Sequence, residues 1–143
     1  MHLAAKRVQV VADPNVLVSA AVTPDGVCAE LLSRIVLSPV ELVVSPLLLD
    51  ELERVLSRSR FEAIPGSLRV GYIEYLRRIG RLEDDPPAPG GMSLVETDPG
   101  DDYLVRLTLA VERRLLVSGD PHLLALAGRY PVVGPRDLLD RLV

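Results

Sequence analysis

Hydrophobic positions along the chain follow two rhythms. Short apolar runs, Val8 to Ala12, Leu42 to Val44, Leu94 to Val95, Leu115 to Ser118 and Val132 to Val133, read as five brief strands. Between them, Ala29 to Leu37, Pro46 to Leu56, Leu68 to Ile79 and Pro99 to Arg113 carry apolar residues at three- and four-residue spacing, as helices with one face on a core do. Pro121 to Ala127 and Pro135 to Leu142 make two shorter helices. Strands alternating with helices from end to end predict an α/β fold: a parallel central sheet of about five strands flanked by helices.

Polar punctuation sharpens this pattern. Asp13-Pro14, Ser45-Pro46, Asp98-Pro99 and Asp120-Pro121 each place a capping residue before a proline at the first helical position. All four follow an expected strand directly or within about three residues. In a parallel sheet such strand-to-helix turns lie at the carboxyl edge, where α/β proteins bind their ligands.

At 143 residues and 48% hydrophobic, the chain suits a single domain over 1–143. The stretch Glu83 to Gly91, with Pro86, Pro87, Pro89, Gly90 and Gly91, reads as an exposed connector, since neither half could build a core alone. The one cysteine, Cys28, excludes an internal disulfide framework, and a reducing cytoplasm is the expected location. Lys6 and Arg7 precede apolar residues as in a signal peptide, but Asp13, Pro14 and Asn15 break that run, so the segment reads as mature protein. No stretch approaches the ~18 apolar residues of a membrane span.

Net charge is −4, which leaves nucleic-acid binding to local patches. Fifteen of the sixteen basic residues are arginine, a bias that genome composition explains as well as phosphate recognition does. Arg54, Arg58 and Arg60 near the end of the second long helix are candidates for RNA-backbone contact. Arg113 and Arg114 suit the C-terminal dipole of the helix they close. Aromatic residues make up 3% of the chain, too few for base stacking to supply much affinity.

The acidic residues carry the chemistry. Asp13 and Asp120 end the first and fourth strands and would share one cleft if those strands are neighbours. Asp101 and Asp102 lie in the first turn of the helix opened by Asp98, and Glu51 lies in the helix after the second strand. Clustered carboxylates need a cation or a proton among them, and Mg²⁺ or Mn²⁺ is the simplest answer. Each acid also has a purely structural explanation. Asp13, Asp98 and Asp120 suit caps, Asp101 a capping box with Asp98, Asp102 the helix dipole, and Glu51 a solvated face beside Glu53.

Four segments together resemble one family. Val10 to Ala20, an apolar strand ending in Asp13-Pro14-Asn15, resembles the opening motif of PIN domains. Ser45 to Leu56 is similar to the second motif, with its acid at Glu51; Asp98 to Leu104 to the third; and Leu116 to Asp120 to the fourth, in which a Ser or Thr precedes the aspartate by two. They run in the family's order from about Val8 to Leu142, nearest the branch of toxin components of toxin–antitoxin systems, the VapC-like ribonucleases. The resemblance implies a Rossmann-like sheet, dependence on Mg²⁺ or Mn²⁺, an RNA substrate and an antitoxin partner. It implies Asp13, Glu51, Asp102 and Asp120 as catalytic acids, the three aspartates among them as metal ligands, and Asn15 and Ser118 as orienting groups, with Asp101 a fifth acid. Pro14 departs from the family's usual Thr and removes a hydroxyl there.

Rival chemistries are weaker. A phosphotransfer domain with Asp13 as nucleophile needs a lysine near the phosphoryl group, and Lys6 precedes the first strand. A catalytically silent PIN-fold module acting through a partner or nucleic acid predicts a broken acidic set, and the set is intact. His2, at the terminus, and His122, on a helix surface, lack the G-x-S-x-G elbow of a serine hydrolase, and no P-loop motif is present. Leu68 to Ile79, with Tyr72 and Tyr75, offers either apolar surface for a homodimer or a face for the monomer core.

Overall fold

The computed structural model describes residues 8–58, 61–87 and 99–142. In chain order the elements are β1 (Gln9–Ala12), α1 (Pro14–Val22), α2 (Val27–Leu37), β2 (Glu41–Val44), α3 (Pro46–Leu56), α4 (Gly66–Ile79), β3 (Arg81–Leu82), a 3-10 turn (Pro99–Asp101), α5 (Asp102–Leu109), β4 (Arg114–Val117), α6 (Pro121–Leu124), β5 (Val132–Val133) and α7 (Pro135–Arg141).

The five strands form one sheet in the order β3-β2-β1-β4-β5, and every neighbouring pair is parallel. Val10 lies opposite Leu42 on one side and Leu115 on the other. From β1 the chain works outward to β2 and β3, then returns to the far side of β1 for β4 and β5. The order therefore reverses between β1 and β4. Val10, Val11, Val43, Val44 and Val117 are fully buried, as strands covered on both faces must be. Each such side chain contributes about 1.5–3 kcal/mol of apolar transfer free energy.

The helices cover this sheet with single apolar stripes. Leu48, Leu49, Leu52, Val55 and Leu56 are the buried positions of α3, and the spacing of three and four residues that marked the helix is the spacing of its core contacts. α1 packs on α2 and α3, α2 on α7, and α5 on β4 and β1. Tyr72 of α4 donates to Leu17 O of α1 at 2.6 Å, which locks those two helices together. No single described helix is long and apolar enough to cross a membrane; α1 and α2, which reach that length only together, meet at 102°.

Several expectations change. The third strand was expected at Leu94 to Val95, which lies outside the described residues, whereas the sheet's described edge strand beyond β2 is Arg81–Leu82. Two exposed residues carry no alternation to read. A close approach places them: a Cβ on Gly80 would lie 2.8 Å from Leu76 O and 3.2 Å from Leu42 O, so glycine alone lets α4 turn this tightly onto β2. The connector from Glu83 is not simply exposed either. Glu83 is half-buried and bonded to Arg114, and Asp85 Oδ2 accepts from Leu47 N at 3.0 Å, capping α3 from 38 residues away.

The helix expected over Pro99 to Arg113 is a 3-10 turn followed by α5, which stops at Leu109. Asp98 lies outside the described residues, and Asp101, which precedes α5, makes no side-chain cap. Arg113 and Arg114 do not close that helix in sequence. Arg113 sits in the following turn at φ 67°, a backbone that costs an L-residue roughly 1–2 kcal/mol. Arg114 opens β4, yet its Nη1 donates to Leu107 O at 2.8 Å, so it serves the α5 terminus from the strand. Along α4, Tyr72, Ile73 and Leu76 face the core, while Leu68, Val70 and Tyr75 are exposed.

Candidate active site

Strand order brings the acids to one edge. β1 and β4 are hydrogen-bonded neighbours with Ala12 opposite Val117, so the residues that follow, Asp13 and Ser118, emerge side by side at the carboxyl edge. This is also the point where the sheet order reverses, and there the helices after β1 and β4 diverge and leave a crevice.

Asp13 is 3% exposed and wholly committed to that position. Its backbone N–H donates to Val117 O at 3.0 Å; its Oδ1 accepts from Asn15 N at 3.1 Å, capping α1; its Oδ2 accepts from Ser118 Oγ at 2.7 Å. Ser118, fully buried, accepts in turn from Asp120 N at 3.0 Å. One hydroxyl thus joins the two aspartates that the strands deliver. Asp120 Oδ1 accepts from the backbone N–H of exposed His122 at 2.8 Å and caps α6. For Asp13 and Asp120, capping is real and does not exclude a second role, because each carboxylate oxygen carries a second lone pair beyond the one a hydrogen bond uses.

Asp102, 5% exposed, opens α5 and pairs with Arg106 one turn later, Nη2 to Oδ2 at 3.5 Å. Glu51, half-buried on α3, accepts at Oε2 from the Tyr103 hydroxyl at 3.0 Å. Tyr103 connects these acids electrostatically. Its hydroxyl is pushed far above its ordinary value of 10, first by burial, then by the charge of Glu51 and the bond to it, then by the charges of Asp13 and Asp101. Glu51, Asp13 and Asp101 therefore lie within electrostatic reach of one half-buried phenol.

Asn15 is exposed at the first turn of α1, beside Asp120 on the wall of a shared cavity. Arg54 and Arg58 are exposed on and just beyond α3, and Arg60 lies outside the described residues. A larger cavity of about 450 Å³, bordered by Ile35, Ser38, Glu41, Ile79 and Arg81, opens where β2 begins, at the opposite edge from Asp13 and Asp120.

Among the described residues no three acidic, histidine or cysteine side chains converge closely enough to enclose an ion. Carboxylates repel, and those described here hold hydroxyl, amide or guanidinium partners. The donors are all oxygen, the chemistry that suits a hard divalent cation. Mg²⁺ is ordinarily held by one or two carboxylates with water and substrate phosphate completing its shell, not by an all-protein cage. The donor chemistry suits such an ion at one or two of these carboxylates, while among the described residues no three of them gather about one point.

Two members of this cluster, Arg106 and Tyr103, are not among the residues that the motifs single out. Arg106 was readable, being four residues after Asp102 on one helix face. Tyr103 was not, because its partner Glu51 is 52 residues away.

Comparison with known proteins agrees with this architecture. The crystal structure of PAE2754 from Pyrobaculum aerophilum matches with a TM-score of 0.60 over 99% of this chain and 95% of that chain, at 14% identity, a likeness of fold. No curated protein matches by sequence. A family model described as PIN domain matches residues 9–122, a span that takes in Asp13, Glu51, Asp102 and Asp120. The PIN domain is generally a nuclease fold, and its members commonly use divalent metals. With that model covering well over half of its length, the chain belongs to the PIN-domain family.

Proposed function

We propose that this chain is a metal-dependent endoribonuclease, a single PIN domain that hydrolyses RNA phosphodiester bonds as the toxin of a toxin–antitoxin pair in the cytoplasm. The observation that carries the nuclease reading is the link from the Asp13 carboxylate through Ser118 to the Asp120 backbone, built at the ends of two paired parallel strands. Asp13, Glu51, Asp102 and Asp120 are the catalytic acids, with Asp13, Asp102 and Asp120 as ligands for Mg²⁺ or Mn²⁺. A bound ion of this kind supplies a Lewis acid and a water activated as nucleophile.

The protein's own residues do the positioning. Ser118 fixes the Asp13 carboxylate by donating to Oδ2, and the α1 amide of Asn15 fixes the other oxygen. Tyr103 holds Glu51 so that its second oxygen can orient a water or accept a proton from it. Arg106 pairs with Asp102 and offsets its charge, and its guanidinium would also suit a substrate phosphate beside that carboxylate. Asp101, close enough to act on Tyr103, adds a fifth negative charge.

The toxin role and the antitoxin partner rest on the four motifs and their order. Exposed Val36 and Leu37 on α2, and Leu68 and Val70 on α4, are the surfaces such a partner or a second copy would cover. Co-expression with the neighbouring reading frame, followed by affinity capture, tests that role. The nuclease reading is tested by incubating purified protein with mixed single-stranded RNA in Mg²⁺, Mn²⁺ or EDTA beside Asp13→Asn. Metal-dependent cutting that the variant loses supports it; absence of cutting with either metal overturns it. The Arg106–Asp102 pair favours the alternative, a silent binding module, because it fills a cation's place with protein. Calorimetric titration with Mn²⁺ separates the two, since a silent module takes up no ion.

A further inference from the structure

The crevice beside the acids continues into a cavity of about 350 Å³ that reaches from α1 and α2 to the turn after β4 and the start of α7. That volume lies at the lower end of the ~300–1,000 Å³ typical of small-ligand pockets, room for one ring-bearing nucleoside and not for a base pair. The walls are of two kinds. Val16 and Pro135 offer apolar surface, whereas Asn15, Ser19 and Cys28 offer amide, hydroxyl and thiol. An unpaired nucleobase has the matching character, apolar faces and a polar edge, and RNA is read chiefly through such unstacked bases.

Asp120 belongs both to this cavity and to the acidic cluster. A strand whose phosphate reaches the acids therefore has the adjoining sugar and base at the cavity mouth. The interior is open there as well: a Cβ on Gly119, another wall residue, would meet no atom within 4 Å. We infer that this cavity is a subsite for a single unpaired ribonucleoside flanking the phosphate that is cut, with Ser19 and Cys28 as its inner wall. The inference rests on the nuclease reading for the cut itself and on the cavity for the nucleoside.

Cys28 makes the subsite measurable, because it is the chain's one cysteine and borders the cavity half-buried. Burial raises its thiol above the ordinary range, with the Ser19 hydroxyl acting weakly the other way, so labelling belongs at mildly alkaline pH. In EDTA, a short mixed-sequence single-stranded RNA is expected to slow labelling by methyl methanethiosulfonate roughly tenfold, and the same strand annealed into a duplex to leave the rate unchanged. Protein modified at Cys28 with N-ethylmaleimide, or carrying Ser19→Leu, is expected to show KM for single-stranded RNA raised roughly tenfold with kcat within about twofold. Labelling unchanged at every RNA concentration overturns the subsite, as does full cleavage after complete modification. Cutting without protection overturns the subsite and leaves the nuclease; protection without metal-dependent cutting overturns the nuclease and leaves the subsite.

Discussion

Two polar networks cross this sheet, and they are built on opposite principles. At the carboxyl edge, Asp13 is joined through Ser118 to the backbone of Asp120, and Glu51, Asp13 and Asp101 all act on Tyr103, so these acids are held largely by hydroxyls and backbone amides. At the start of β4, Arg114 is fully buried and closed on itself. Its Nε donates to Gln9 Oε1 at 2.8 Å, its Nη1 to Leu107 O at 2.8 Å and its Nη2 to Glu83, while Gln9 Nε2 donates to Glu41 Oε1 at 3.1 Å. There each guanidinium nitrogen finds an acceptor, and the reward is structural: Arg114 ties β4 to β1, α5 and the chain after β3, and Gln9 carries the network on to β2. The acidic edge brings like charges toward one another, which works against stability.

The contrast predicts opposite responses to substitution. Asp13→Asn is expected to lower RNA cleavage by about 10²–10⁴-fold, the range for loss of a group that handles a proton or charge in the transition state. Its urea unfolding free energy should stay within about 1 kcal/mol of wild type, because asparagine still accepts at the α1 cap. Arg114→Ala is expected to reverse that pattern, costing about 3–5 kcal/mol of stability by leaving Glu83 and Leu107 O without their guanidinium. Equilibrium unfolding in urea reads that loss directly, and a cost below 1 kcal/mol would mean the network is ornamental.

Tyr103→Phe probes the boundary between the two kinds of network, since it removes one hydroxyl from the acidic edge and leaves the ring. Cleavage is expected to fall about 10–100-fold, as when an outer partner of a site is lost, with a stability change near 1 kcal/mol. A stability loss without a rate loss would move Tyr103 to the structural side. The smallest effect is titratable. Glu83's carboxyl is held below its ordinary value, chiefly by its hydrogen bond to Arg114. A carboxyl depressed in the folded state adds stability that is complete above the unfolded pKa, about 4.3, and is lost as pH falls through the folded one. Urea titrations at descending pH should therefore show an acid-side loss that is shallower in Glu83→Gln.

Much of this fold is written locally. The runs at β1, β2, β4 and β5 are apolar because both faces of those strands are covered, and helix starts at Pro14, Pro46 and Pro121 are marked by Asp13, Ser45 and Asp120, whose side chains do cap them. The same turns located the acids at the carboxyl edge, because in a parallel sheet every strand ends there. These signals are short-range: a rhythm of burial and a cap two or three residues from its partner. What they could not contain is which strands are neighbours. The pairing of β1 with β4, the assignment of two exposed residues to the sheet edge, the hold of Tyr103 on Glu51 and the cap that Asp85 gives Leu47 all join positions far apart in sequence. Their partners are chosen by packing, since a buried polar group takes whichever donor or acceptor the folded chain brings within about 3 Å.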